Sequence, residues 1–416
     1  MTRKLFRSAR IFTPIDPGAP LAGVGQGRVV QYDPGAVYAI NGVIQAVGGE
    51  QDVLAHIKPN AVDVEVDCGG RCLIPGFVDC HTHMCFAALR EEEFALRLEG
   101  ADYLEILQKG GGILSSVRAV RQASEQELFV ATRSRVLKAL RLGTTTLEIK
   151  SGYGLDTETE LNMLRVIERI GRETPADVVA TFMGAHAVPP EFAGRPDEYV
   201  ELVIEEMLPA VAKQGVARFC DVFCEQGVFS LDESRHVLQA ARAAGLGLKI
   251  HADEVHDLGG AGLAAELRTI SAGHLLAASD ANLAAMARAG VIAVLLPATA
   301  YSMRKSYARA ARMRELNVPM AIATDCNPGT SYTESMPFVF GLAVLNMNLN
   351  VAEALTAATL NAAHAIGMAD RVGSLEVGKY ADFLLLEGAT PAILVYHAGV
   401  SPVVQVFKRG EAVLVG

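Results

Sequence analysis

Two histidines stand one residue apart in His81-Thr82-His83, directly after the apolar run Leu73-Ile74-Pro75-Gly76-Phe77-Val78-Asp79. Residues i and i+2 of a strand point to the same face. Both imidazoles can therefore reach one ion, each through a ring nitrogen at about 2 Å. A His-x-His pair alone is weak evidence; its place at the end of a buried type of strand strengthens it. Further polar residues follow other apolar runs: Lys150, His186, Glu225, His251 with Glu254, His274, and Asp325. Of the ten histidines, five (His81, His83, His186, His251 and His274) stand at such strand ends. Each one singly is more often a structural residue than a ligand, but their convergence reverses that reading for the set.

His81, His83 and His251 supply three imidazoles, and Asp325 a hard anionic oxygen. Three nitrogens and one carboxylate suit Zn²⁺ and also iron, Fe²⁺ or Fe³⁺. Such an ion lowers the pKa of a water in its open position towards neutrality. Glu254, three residues after His251, can take a proton from that water and pass it to a leaving nitrogen; its bland reading is a surface carboxylate on a polar loop. His274 reads as a hydrogen-bond partner of the reacting oxygen or as a further ligand. Asp325 reads as ligand, base or both. Two-ion sites commonly use a carbamylated lysine at the end of the fourth strand. Here Cys224-Glu225 stands at that place, so one ion per chain is expected.

The elements that must position these residues follow from periodicity. Eight apolar runs read as strands: Cys72 to Cys80, Thr144 to Ile149, Val178 to Gly184, Phe219 to Cys224, Gly247 to His251, Thr269 to Ala272, Val291 to Leu296 and Met320 to Thr324. Several are continuously apolar, as strands covered on both faces should be. Helical stretches lie between them, such as Glu125 to Leu142, Glu158 to Arg172, Asp197 to Gln214 and Ser230 to Ala244. This alternation predicts an α/β protein with a (β/α)8 TIM-like barrel, whose site lies at the C-terminal ends of the strands. A doubly wound sheet is the alternative, but no Gly-x-Gly-x-x-Gly follows any strand. Short β-type runs at both ends of the chain predict a small β-sandwich domain assembled from residues 1–71 and 373–416, with the barrel between them at 72–372.

Composition narrows the function classes. The chain has 416 residues and a net charge of −10, with no Trp and 6% aromatic residues. An acidic balance and few stacking platforms argue against a nucleic-acid partner. No apolar run approaches the ~20 residues of a membrane helix. Seven scattered cysteines in a chain of this size predict free thiols in a reducing cytoplasm. The pairs Cys68/Cys72 and Cys220/Cys224 are too loosely spaced to read as a four-ligand zinc site.

The run from Leu73 to His83 resembles the entry motif of the amidohydrolase superfamily, and Gly373-Ser374-Leu375-Glu376-Val377-Gly378-Lys379-Tyr380-Ala381-Asp382 resembles its return into the small β domain. More specific runs are similar to the imidazolonepropionase family of histidine degradation. They are Arg90-Glu91-Glu92-Glu93-Phe94, Lys109-Gly110-Gly111-Gly112-Ile113, Glu148-Ile149-Lys150-Ser151-Gly152-Tyr153-Gly154-Leu155, Gly184-Ala185-His186-Ala187-Val188-Pro189, Asp221-Val222-Phe223-Cys224-Glu225, His251-Ala252-Asp253-Glu254 and Thr324-Asp325-Cys326-Asn327-Pro328-Gly329-Thr330. Together they span nearly the whole chain in order. Ala87-Ala88 and Cys326 depart from the pattern without removing a side chain that the chemistry needs.

The resemblance implies hydrolysis of the cyclic amide C–N bond of 4-imidazolone-5-propanoate to N-formimidoyl-L-glutamate. It implies that Arg90, Tyr153 and His186 hold the substrate beside Glu254. The planar fork of Arg90 matches the propanoate carboxylate, although an ion pair with Glu91 to Glu93 would also satisfy it. Asn327, Gly329 and Thr330 would hold the carboxylate formed in the product. A homodimer is also implied. The rival enzyme reading is a nucleobase or triazine deaminase with the same ligands, which gives no reason for Arg90, Tyr153 and His186 together. A non-catalytic assembly protein of the same fold would be expected to have lost metal ligands.

Overall fold

The computed structural model describes residues 2–58, 61–100 and 111–413. Lys109 and Gly110 of the glycine-rich run, and the last three residues of the small β domain expected over 373–416, lie outside them.

Eight parallel strands form the barrel: β6 (Phe77–Asp79), β7 (Thr144–Lys150), β8 (Asp177–Ala185), β9 (Phe219–Cys224), β10 (Gly247–Ala252), β11 (Ser271–His274), β12 (Ile292–Leu295) and β13 (Met320–Ile322). They pair in chain order. Backbone hydrogen bonds just past the strand ends join the first to the last: Asp325 N to His81 O at 3.0 Å and His83 N to Cys326 O at 3.0 Å. The Asp79 carboxylate reinforces this seam by accepting from Thr324 N (3.1 Å) and Thr324 Oγ1 (2.6 Å). The seam places His81, His83 and Asp325 on adjacent segments, although more than 240 residues separate them in sequence.

Several helices outside the barrel start where a side chain satisfies their free N–H groups. Ser124 and Ser230 form capping boxes with Glu127 and Glu233, and Asp156 caps the helix Thr157–Glu173. The single helix expected over Asp197 to Gln214 is instead three segments. Pro196–Leu202 and Leu208–Gln214 flank a wider turn at Val203–Met207. Pro209 at the junction explains this, because it has no N–H to donate to the ladder. Among the described residues, no helix is long and apolar enough to cross a membrane.

The two chain ends build a second sheet around three phenylalanines. It contains β1 (Arg3–Pro14), β2 (Val29–Ile40), β3 (Val43–Gly49), β4 (Val64–Asp67), β5 (Cys72–Pro75), β14 (Phe383–Leu386), β15 (Val403–Lys408) and β16 (Glu411–Ala412). The order is β16-β15-β14-β5-β1-β2-β3, with β4 also on β1. Phe6, Phe383 and Phe407 meet with ring centroids 4.7–5.1 Å apart.

One strand reading is corrected here. Cys72 to Cys80 is not one barrel strand. Cys72–Pro75 pairs with β1 and β14 of the second sheet, and the barrel begins at Phe77. Gly76 is the point of exchange, where an added Cβ would lie 2.3 Å from Thr145 Oγ1. Both halves are fully buried, and Cys72–Pro75 and Phe77-Val78 are apolar alike, so hydropathy cannot reveal which sheet each half joins.

Candidate metal centre and active site

The C-terminal ends of β6, β10 and the segment after β13 bring four ligand-type atoms to one point. His81 Nε2 and His83 Nε2 lie 3.1 and 3.2 Å from His251 Nε2. Asp325 Oδ1 lies 3.5 Å from His81 Nε2 and 3.6 Å from His83 Nε2. Burial pushes the pKa values of His81 and His83 well below the ordinary value and lowers that of His251. All three are therefore neutral rings with a lone pair to offer. Burial also pushes the Asp325 carboxyl up to about 6. Lone pairs crowded face to face repel unless a cation lies between them. Ligands around a zinc-like ion lie about 3.4 Å apart in a tetrahedron, close to the four separations above, and the mutually close groups are two triads that share His81: His81, His83 and Asp325, and His81, His251 and His274. The residues present thus fit a metal ion of that class.

A buried chain of charges lies behind the cluster. His251 Nδ1 contacts Asp221 Oδ1 at 3.0 Å, Asp221 Oδ2 pairs with Lys150 Nζ at 2.8 Å, and Lys150 Nζ pairs with Glu148 Oε1 at 2.7 Å. Lys249 Nζ reaches the same Glu148 oxygen at 3.1 Å and Cys80 O at 3.1 Å. Two lysines offset two carboxylates, so the buried chain is neutral overall, as burial of charge requires. The Asp221 contact fixes the proton of His251 on Nδ1 and frees Nε2 for the cluster. Lys150, read from sequence as lying near the mouth, is fully buried and committed to this chain.

Asp221 and Lys249 were missed as functional candidates, and Glu148, at the end of the second strand run, was given no role, although a signal existed. Glu148/Lys150 and Lys249/His251 are i, i+2 pairs within strands that are otherwise uncharged. Charges that recur on one face of a strand buried on both sides must find partners inside the barrel. Thr299, a strand-end residue to which sequence gave no role, donates to Asp325 Oδ2 at 2.6 Å.

His274 completes the rim. It forms a second group of potential ligands with His81 and His251, and its Nδ1 lies 3.6 Å from Glu254 Oε2. Both His274 and Asp325 adopt left-handed backbone conformations, with φ of 71° and 52°. Such strain in non-glycine residues concentrates at functional sites.

The Lys-Ser-Gly-Tyr-Gly-Leu run forms a loop held by one buried carboxylate that the sequence reading did not single out. Glu160 accepts from the N–H groups of Gly152, Gly154 and Leu155 at 2.8–3.1 Å. Gly152, at φ 101°, leaves no room for a side chain: an added Cβ would lie 2.9 Å from Met183 O and 3.0 Å from His186 Nδ1. Its carbonyl accepts from His186 Nδ1 at 2.9 Å. His186 stacks on His83 with centroids 4.9 Å apart, and Tyr153 lies 5.3 Å from His186. Tyr153 and His186 thus form one wall beside the cluster.

Arg90 stands at the mouth against the loop after Asp325, with its charge felt by Tyr153. Its fork pairs with Glu93, Nε donating to Oε2 at 2.9 Å and Nη2 to Oε1. The other edge faces Gly329, where an added Cβ would lie 2.3 Å from Nη1. A cavity lined by Arg90, Phe94, Tyr301, Gly329, Tyr332 and Phe338, among others, opens here. Asn327 does not present a free amide to it. Its Oδ1 accepts from Gly329 N and Thr330 N at 2.8 and 2.7 Å, and its Nδ2 donates to Asp325 O and Thr330 Oγ1 at 2.7 and 2.9 Å. Asn327 therefore folds the loop that carries Gly329 and Thr330.

The amidohydrolase family model matches residues 72–413. A relative named imidazolonepropionase from Syntrophobacter fumaroxidans is 69% identical, covering 99% of this chain and 97% of its own length. Another of that name, from Desulfotalea psychrophila, is 64% identical, covering 99% of this chain and 100% of its own length. Among solved structures, a zinc complex of atrazine chlorohydrolase from Arthrobacter aurescens superposes with a TM-score of 0.74 at 18% identity, covering 99% of this chain and 95% of that one. At that identity the likeness speaks for the fold alone. With the barrel and the cluster in place, the full-length similarity to the two relatives settles the family: this chain is an amidohydrolase and belongs to the imidazolonepropionases.

Proposed function

We propose that this chain hydrolyses the cyclic amide C–N bond of 4-imidazolone-5-propanoate, giving N-formimidoyl-L-glutamate, with one zinc or iron ion per chain held by His81, His83, His251 and Asp325. The observation that carries the reading is the Arg90 edge facing Gly329 at the mouth of a barrel whose floor is the four-ligand cluster. A guanidinium there suits a substrate with a carboxylate tail, and it has no counterpart in the needs of a nucleobase deaminase.

When bound, the ion supplies Lewis acidity for the carbonyl and lowers the pKa of a water molecule. The remaining work falls to side chains. Glu254 takes the proton of the attacking water and delivers it to the ring nitrogen as the C–N bond breaks. His274, with Nδ1 towards Glu254, donates a hydrogen bond to the oxygen on which negative charge develops. His186, whose Nδ1 proton is committed to Gly152 O, accepts from a ring N–H through Nε2, while Tyr153 packs beside it. Arg90 takes the propanoate. Thr330, on the loop shaped by Asn327 and Gly329, receives the carboxylate formed in the product. In solution the enzyme is a homodimer, a state that light scattering would read.

The deciding assay follows loss of the imidazolone chromophore, with guanine and cytosine as controls. Ring opening of the first and no deamination of the others is the expected result. Deamination without ring opening would overturn the assignment. Elemental analysis should return about one ion per chain, and less than half an ion would break the metal part of the reading.

A further inference from the structure

Glu225, at the exit of β9, is a buried acid that none of the steps above uses. Its side chain is 5% exposed. Its Oε2 accepts from Val255 N at 2.9 Å, and its Oε1 accepts from Gln226 N and contacts His256 Nδ1, both at 2.9 Å. The Val255 N–H belongs to the peptide that leaves Glu254. One carboxylate thus bridges the loops after β9 and β10, at the residue next to the proposed proton carrier.

The other flank of Glu254 is held as firmly. Asp253, at φ 50°, accepts from Leu258 N, Gly259 N and Gly260 N through Oδ1 and from Ala261 N through Oδ2, at 2.9–3.1 Å. The carbonyls of Ala252 and Asp253 accept from Leu275 N (3.0 Å) and Ala277 N (2.9 Å), which ties this loop to the one that carries His274. Between two acids consumed by backbone amides stands Glu254, which points to His274. A three-residue acidic neighbourhood therefore divides into two anchors and one free carboxylate. The peptides on both sides of Glu254 are thus held from other loops, the Asp253 carbonyl by Ala277 N and the Val255 N–H by Glu225.

We infer that Glu225 is a positioning residue for the hydrolysis: it pins the Glu254–Val255 peptide so that the Glu254 carboxylate stays beside His274 and the metal cluster. The inference rests on the proposed role of Glu254. It assigns Glu225 to the placement of a proton carrier and not to the metal, the substrate or the proton transfer itself.

The test is a double-substitution cycle on the metal-loaded enzyme. Glu225→Ala should lower kcat about 100-fold, the order expected from displacing a reacting group by an ångström, with KM within about twofold and metal content unchanged. Glu225→Gln keeps one acceptor oxygen for Val255 N and should recover at least a tenth of wild-type kcat, which also covers the case in which the alanine variant folds poorly. On a Glu254→Ala background, adding Glu225→Gln or Glu225→Ala should cost no more than about twofold further, because two residues that act as one unit are not additive. A full-strength loss on that background would overturn the positioning role, as would a rise in KM with kcat unchanged. Wild-type kcat in Glu254→Ala would instead remove the proton-carrier reading itself, and this inference with it.

Discussion

The floor and the mouth of this barrel are built by different means. On the floor, His81, His83 and His251 leave the ends of strands and are backed by a continuous run of buried charges, Asp221-Lys150-Glu148-Lys249. At the mouth, Arg90, Thr330 and Glu254 sit at loops: Arg90 and Thr330 are oriented by neighbours three residues away, Glu93 and Asn327, and Glu254 by the adjoining loops that carry Glu225 and His274. Floor residues are nearly inaccessible, whereas the side chains of Arg90 and Glu254 are 15% and 21% exposed. Reaction chemistry needs fixed geometry and rigid support; substrate choice needs loops that can change without disturbing the barrel.

That comparison makes graded predictions. The floor should fail completely. His81→Ala or Asp325→Ala should leave no measurable ring opening and less than a tenth of an ion per chain by elemental analysis. A variant that keeps its metal and its turnover would show that the cluster is not the floor of the reaction.

One layer deeper the loss should be large but partial. Asp221→Asn keeps the shape but leaves His251 without its anion and Lys150 with Glu148 alone. Metal affinity, measured by competition with a chelator, should fall about 10- to 100-fold. Equal affinity would mean that the buried charges serve folding alone and that the contrast with the mouth is wrong.

At the mouth the effect should move to KM. Arg90→Ala removes a contact made in both ground and transition states, so KM should rise about 30-fold with kcat within a few-fold. A collapse of kcat at constant KM would place Arg90 in the chemistry.

The smallest effect belongs to the partner of that arginine. Glu93→Gln keeps one acceptor for the Arg90 fork and for Gly112 N, which now donates to Glu93 Oε2 at 2.8 Å. A rise in KM of about threefold is expected, from poorer orientation of the guanidinium. A larger change than in Arg90→Ala would mean that Glu93 itself shapes the pocket.

What the sequence alone determined here was local and periodic. Alternation every two residues placed His81 beside His83, continuous apolar runs marked eight strands, and the polar residues at their ends marked the side of the barrel that carries the site. Those inferences need only a strand's own geometry. The tertiary structure decided what depends on partners distant in the chain. It divided Cys72–Asp79 between two sheets, because either half is apolar enough for either core. It turned Asp221, Glu148 and Lys249 from anomalous charges into support for His251, and it gave Glu160 and Glu225 their loops to hold. It also aimed Arg90 at both Glu93 and Gly329, where sequence favoured a substrate fork over an ion pair with Glu91 to Glu93. A buried charge announces from sequence that it must be paired; which residue pairs with it is settled only when strands more than a hundred residues apart close into one barrel.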